Sequence, residues 1–343
     1  MSSSSEARQE RRLCCAVSEA SGEDPAGTGT PFACYLGVEV VSPWKRDVTR
    51  SRHFPQGLGE VVQRAQDEGL IGKFTGLLPD AEYSREGHVR VICLRKPPGL
   101  FAAYEKEEYV VPEDELVALV EALTTEPDGL PHFARYREDT SHIRDILVCT
   151  HGSRDVCCGR FGHSIYKRLR HDYAAEGRLR VWRTSHLGGH RFAPHLLDLP
   201  EGRYWCRLVP EILENLVLRN EPVSDLRRFY RGWAGLHSSF EQIAERQAFM
   251  REGWKWTEYS KAGEVLEVDE NGDRAEVRIE YRTPSSFLGA YEATVEADGS
   301  VMTLLNSGTG PLQEARQYVV NRLQKVPPRS RQSHLHRADR AAG

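Results

Sequence analysis

Apolar and polar positions along the chain change period several times, and the changes mark out its elements. PFACYLGVEVV, from residue 31, is an apolar run of strand length, whereas QGLGEVVQRAQDEG has helical spacing. HVRVICLRK and the segment from LFAAYEK to EYVV are again extended, and PEDELVALVEALT is helical, so a first unit over residues 31–130 reads β-α-β-β-α. A second unit, residues 131–222, opens on the β-branched run DILVC. It continues through RFGHSIYKRLRHDYAAEG, helically spaced with a glycine stop, and returns to the extended RLRVWRTS. FAPHLLDLPEGRYWCRLV folds back about a Pro-Glu-Gly turn, and PEILENLVLRN is a helix with proline at its start. Its order is read as β-α-β-β-α too, which suggests a diverged duplication without a residue-level repeat.

Residues 223–326 read as a small α+β appendage. It holds a helical stretch, SDLRRFYRGWAGLHSSFEQIAERQAFMREG, two hairpins about Asn271-Gly272 and Asp298-Gly299, and a closing amphipathic helix, PLQEARQYVVNRLQKV. The Ser-, Glu- and Gly-rich residues 1–30 are expected to be disordered apart from what Cys14 and Cys15 touch, and the basic residues 327–343 to form a solvated tail.

A chain of 343 residues has room for about two domains. Its longest apolar runs fall far short of the roughly 20 residues that cross a bilayer, and its N-terminus is charged. The expectation is a cytoplasmic protein with no membrane span. Forty-six basic against fifty acidic residues supply no electrostatic reason to bind nucleic acid. Eight cysteines without a secretion signal point to a reducing compartment, where clustered thiols serve metals or redox chemistry. Cys34, Cys93 and Cys206 lie in apolar runs and read as core thiols.

The remaining chemistry sits in ILVCTHGSRDVCCGRFG, residues 146–162, and VWRTSHLGGHRF, residues 181–192. Cys149 ends one strand and His186 follows another, with a helix between. Such a crossover makes the strands parallel and brings their C-terminal ends to one edge of the sheet. Two glycines in HLGGH argue for a tight loop rather than a helix. Converging thiolates and imidazoles can hold a metal. Eight residues separate Cys149 from Cys158 and twenty-seven separate Cys158 from His186, which is not zinc-finger spacing, although another kind of Cys2His2 zinc site stays open. A [2Fe-2S] cluster, longer than one ion, takes a ligand pair per iron; two cysteines and two histidines raise its potential to roughly −150 to +300 mV. Cys149-Thr150-His151 mimics half of a Rieske motif, but no Cys-x-x-His follows. A rival from another class is a rhodanese-like thiol enzyme, with Cys149 at the start of a Cys-x-x-Gly-x-Arg loop ending at Arg154.

CTHGSRDVCCGRFG, HLGGHRFAPHLLDLPEGRYWCRL and FYRGWAGL together resemble the sucrase/ferredoxin-like family of thioredoxin-like ferredoxins. The resemblance is densest over residues 145–235 and extends loosely back to GTPFACYLGVEVVSPW. It implies an α/β to α+β protein with a thioredoxin-like ferredoxin domain over residues 131–222. It also implies a His-ligated [2Fe-2S] cluster held by Cys149, Cys158, His186 and His190. Registering on Arg154-Asp155 and Gly159 selects Cys158 over Cys157.

Around that set, His151 is read as a donor to a sulfur and Arg154–Asp155 as an ion pair shaping the loop. Gly152, Gly159, Gly188 and Gly189 are read as letting backbone N–H groups approach the sulfides. His163, His171 and His195 are read as surface or hydrogen-bonded residues. The expected function is one-electron transfer coupled to a proton, the midpoint falling by about 59 mV per pH unit. The partner would be a redox protein such as a flavoprotein reductase or a thiol system, since no Gly-x-Gly-x-x-Gly segment offers a dinucleotide site.

Overall fold

A computed structural model describes residues 12–329. A short helix α1 (Cys14–Ala20) leads into the first unit, β1 (Cys34–Glu39), α2 (Leu58–Asp67), β2 (Lys73–Leu77), β3 (His88–Arg95), β4 (Glu105–Pro112) and α3 (Leu116–Leu123). After a two-residue strand β5 (Arg137–Glu138) the second unit follows as β6 (Arg144–Cys149), α4 (Val156–Asp172), β7 (Leu179–Thr184), β8 (Leu196–Leu199), β9 (Arg203–Trp205) and α5 (Leu213–Leu218). Each unit is therefore β-α-β-β-β-α. In the first unit the strand not read from the sequence is KFTGL, too short and too mixed to stand out; in the second, the two arms of FAPHLLDLPEGRYWCRLV are the separate strands β8 and β9, which the order β-α-β-β-α undercounts.

Ten strands form one sheet in the order β10-β9-β8-β6-β7-β2-β1-β3-β4-β5, where β10 is Tyr230–Trp233. Inside it β2-β1-β3-β4 is mirrored by β7-β6-β8-β9, with β1 parallel to β2 and β6 parallel to β7. The halves join through one register pair, Leu77 against Thr184, the last residues of β2 and β7. The C-terminal ends of both parallel pairs thus meet in the middle of the sheet. Three strands separate β4 from β7 in the sheet, yet the Glu108 carboxylate of β4 reaches Arg180 of β7 at 2.6 Å. The sheet must curl back on itself to allow this, and a network of buried charges fills the fold.

Burial explains why the strands read as continuous apolar runs. Every residue of β1 is buried: Leu36 and Val38 pack on Leu58, Val61 and Val62 of α2 and Leu116 and Leu119 of α3, while Tyr35 belongs to a core shared with the second unit.

The C-terminal part differs from its sequence reading in three places. The expected helical stretch is broken by β10, which joins the large sheet, and only α6 (Ser239–Glu252) is α-helical; its Ser238–Glu241 capping box fixes the start. Asn271-Gly272 does turn a hairpin, between β11 (Ser260–Val268) and β12 (Arg274–Arg282). Asp298-Gly299 instead forms a bulge inside β13 (Leu288–Thr303). The expected closing helix is β14 (Gln313–Val326), paired with β13 from Thr303–Gln313 to Ala290–Val326. A half-covered edge strand and an amphipathic helix carry similar numbers of apolar residues, and here the cross-strand partners decide. Charges such as Arg316, Arg322 and Lys325 suit the edge position.

The disorder expected for residues 1–30 also gives way, although residues 1–11 lie outside the described range, as do 330–343 of the expected tail. From Arg12 on the segment is ordered because its acids meet arginines: Glu23 accepts from Arg191 at 2.8 Å, and Asp24 accepts from both Arg246 Nη atoms at 2.5 and 2.6 Å. No helix among the described residues is long and apolar enough to cross a membrane.

Candidate metal centre

Cys149 is the last residue of β6, and its N–H donates to the His195 carbonyl at 3.2 Å. Cys158 lies in the first turn of α4, capped by Asp155, whose carboxylate accepts from Cys157 N–H at 2.9 Å. Helix α4 runs tight under the strand. A Cβ on Gly162 would collide with the Cys149 carbonyl oxygen, and one on Gly159 would lie 2.7 Å from Gly152 Cα. Gly152 and Gly159 therefore serve helix–loop packing. Gly162→Ala must push α4 away from the site; a stability loss on the order of 3 kcal/mol is expected in a denaturant titration. A loss below about 0.5 kcal/mol would show that the helix can yield.

The sulfurs of Cys149 and Cys158 and a ring nitrogen of His195 all lie within 4.8 Å of one another. Both thiols are at most 1 % exposed. His195 is fully buried, and neither of its ring nitrogens has a hydrogen-bond partner. Sequence reasoning missed it, because a histidine in RFAPHLLDL looks like any core or surface residue; its one signal was position, directly before β8 beside β6. Burial pushes the Cys149 thiol up, but hydrogen bonding with Cys158 and the adjoining His195 and His186 rings outweigh it and hold it well below its usual range. Cys158 is pushed well above its range by sharing a proton with Cys149 and by burial.

The His-containing loop follows β7 at the same edge, as the crossover requires. Gly188 and Gly189 have φ of 93° and 67°, and His190–Phe192 form a short 3-10 turn. Arg231 of β10, 1 % exposed, clamps this loop by donating to Gly188 O at 3.1 Å and Thr28 O at 2.5 Å. A Cβ on Gly189 would meet its Nη2 at 2.5 Å. The His186 and His190 rings are 5.2 Å apart, and the buried His186 Nδ1 and both His190 nitrogens lack hydrogen-bond partners. Burial lowers His186 to about 4, and His190 in the same direction, so both rings are neutral near pH 7, the form that ligates metals. Lys73 Nζ donates to His186 O at 3.2 Å and is pulled down to about 8 by burial.

Two expected neighbours act differently. His151 turns its Nε2 to the Lys45 carbonyl at 2.8 Å and stands edge-on to Trp44, so it ties the loop to the first unit rather than to a sulfur. Asp155 bonds Ser307 N at 2.8 Å and Oγ at 2.8 Å, not Arg154, whose Nε is buried without a partner. Several loop N–H groups are committed within the fold, Thr150 N to Thr184 O at 3.1 Å, Gly152 N to Thr150 O at 2.9 Å and Arg154 N to His151 O at 3.1 Å, which leaves fewer of them for an anion beside Cys149. All eight cysteines are free and buried.

Comparison with known proteins agrees with the motif reading. The sequence model described as "Sucrase/ferredoxin-like" matches residues 25–232. One curated protein, "Altered inheritance of mitochondria protein 32" of Meyerozyma guilliermondii, is 30% identical over 78 residues, covering 21% of this chain and 28% of that protein. No solved structure matches.

Proposed function

The chain belongs to the sucrase/ferredoxin-like family, and on that premise we propose that it is a one-electron carrier whose [2Fe-2S] cluster is held by Cys149, Cys158, His186 and His190. One observation carries the reading. Two buried thiols and the His195 ring lie within 4.8 Å of one another, the His186 ring adjoins Cys149 and stands 5.2 Å from the His190 ring, and all three imidazoles carry unpartnered ring nitrogens; a buried polar atom without a partner is costly unless a ligand supplies one. The donor set fits the group. Bound there, the cluster would supply a centre that takes up and gives back a single electron.

The chain's own contribution is positional. Strand β6 and helix α4 hold the sulfurs, and Arg231 fixes the loop that carries the imidazoles. Neutral rings in place of thiolates leave the site with less negative charge, which favours a higher midpoint. The ring nitrogen of each ligand left off the metal can hold a proton, and the pH dependence of the midpoint tests that coupling. The thioredoxin-like reading of the second unit is supported by its strand order β7-β6-β8-β9, a parallel pair followed by two antiparallel strands. The redox partner is a flavoprotein reductase or a thiol system, and a reducing compartment such as the cytoplasm suits the free cysteines. The relative's printed name refers to mitochondria, so fractionation should examine both compartments.

Protein purified without air is expected to be red-brown, with about two irons and two acid-labile sulfides per chain. A second reading has its own support: Cys149, Cys158 and His195 within 4.8 Å of one another suit a single zinc ion. Colourless protein carrying zinc on those residues would replace the cluster by that reading.

A further inference from the structure

A second group of donors takes no part in the reading above. Cys14 of α1 and Cys157 of α4 bring their sulfurs to 3.7 Å, and Asp155 Oδ1 stands 3.6 Å from Cys14 Sγ. Ser307 Oγ, in the loop between β13 and β14, lies 3.3 Å from Cys14 Sγ and 3.4 Å from Cys157 Sγ. Cys14 and Cys157 are fully buried and Asp155 is 7% exposed.

Distances separate the two things such a thiol pair can do. A disulfide requires about 2.05 Å between sulfurs. On a tetrahedral zinc, with Zn–S about 2.3 Å and Zn–O about 2.1 Å, two thiolates stand about 3.8 Å apart and a thiolate and a carboxylate oxygen about 3.6 Å. The observed 3.7 and 3.6 Å follow the second pattern. Plain packing also permits 3.7 Å between sulfurs, but it does not call for a hydroxyl within 3.4 Å of both sulfurs and a buried carboxylate beside one of them. A backbone N–H adds to them: Cys15 N donates to Cys157 Sγ at 3.4 Å, as amides do to metal-bound thiolates.

We propose that Cys14, Cys157 and Asp155 form a second metal site that takes Zn²⁺, with the Ser307 hydroxyl or a water at the fourth corner. Binding releases the protons of both thiols to solvent and involves no change of oxidation state. The ion joins three segments far apart in sequence: Cys14 and Cys157 are 143 residues apart, Cys14 and Ser307 293. Such a closed site is structural, and it fastens the N-terminal helix and the β13–β14 loop to the edge of the large sheet. His190 also lies within 4.8 Å of Cys14 and Asp155, and the proposal leaves it with His186.

The test counts zinc and iron separately in full-length protein purified without air, with a chromophoric chelator as competitor for zinc. About one zinc per chain is expected, retained in Cys149→Ser/Cys158→Ser, which strips the iron, and lost in Cys14→Ser/Cys157→Ser, which keeps it. A readout on the unaltered protein guards against misfolded variants: removing zinc should make two further thiols alkylatable, identified by mass spectrometry as Cys14 and Cys157. Absence of zinc at micromolar free metal, zinc that leaves with the Cys149/Cys158 pair, or a Cys14–Cys157 disulfide in the isolated protein each overturns the site. His190→Ala is expected to keep zinc and lose iron. The opposite result would move His190 out of the cluster's ligand set while leaving a zinc site in place.

Discussion

Glu108→Gln is expected to lower the unfolding free energy on the order of 3–5 kcal/mol, the cost of breaking a buried ion pair from one side. The carboxylate is fully buried and takes Arg180 Nη1 at 2.8 Å and Nη2 at 2.6 Å, Thr140 Oγ1 at 2.6 Å and Arg90 Nη1. Lys106 Nζ stands 3.5 Å away and bonds Asp145 at 2.5 Å; Asp145 also accepts from Arg180 Nε and Trp182 Nε1 at 2.8 Å. The network bridges β3, β4, β6 and β7, so it spans both units of the curled sheet. Glutamine keeps the shape but leaves these buried cations short of one negative charge. Burial alone would raise the Glu108 carboxyl; the Arg180 fork, then Arg90 and Lys106, outweigh it and hold it at about 2. A depressed carboxyl contributes stability that is complete above its unfolded value of about 4.5 and is lost as pH falls toward 2. The wild type should therefore lose stability over that window, while Glu108→Gln, already lacking the contribution, changes less. Denaturant titrations at pH 7 and pH 3 check both parts, and a difference under 1 kcal/mol at pH 7 would sink the argument.

Cys149→Ser and Cys158→Ser should each abolish the visible chromophore and reduce bound iron at least tenfold, whereas Cys157→Ser should keep the colour. Cys158 faces Cys149, and Cys157 faces Cys14 on the other side of the helix turn. Serine removes a thiolate without changing size much, so loss of iron reads ligation rather than packing. Bleaching by Cys157→Ser with colour kept in Cys158→Ser would shift the ligand register by one. Among the imidazoles, His186→Cys and His190→Cys should retain a cluster of lower midpoint potential, because a thiolate restores negative charge. His195→Ala should keep the iron if that ring only adjoins the sulfurs, and lose it if His195 is a ligand.

What the sequence disclosed follows from which signals are local. The crossover from DILVC through a helix to RLRVWRTS is a short-range pattern, and β6 and β7 are parallel with Cys149 opposite Thr184 at their ends. That much brings the CTHGSRDVCC loop to the HLGGH loop. His195 was invisible because its placement depends on β8 pairing with β6, a non-local fact. The order of residues 12–30 was hidden for a related reason. Composition counted Glu23 and Asp24 as solvated charges, while Arg191 and Arg246, far along the chain, make them anchors. β14 failed as a helix because only β13 reveals which face of QEARQYVVNRLQKV is covered.

The pairing of Arg12 with Gly308 has a consequence for biosynthesis. At ribosomal speeds of roughly 5–20 residues per second, the 293 residues between Cys14 and Ser307 take roughly 15–60 s to emerge. Cys157, Arg191 and Arg207, on which the N-terminal helix and the segment after it dock, emerge earlier, but the partners at Ser307 and Gly308 arrive only at the end of that interval. Delivery of an inorganic centre has that window before the last hairpin arrives and the strap closes.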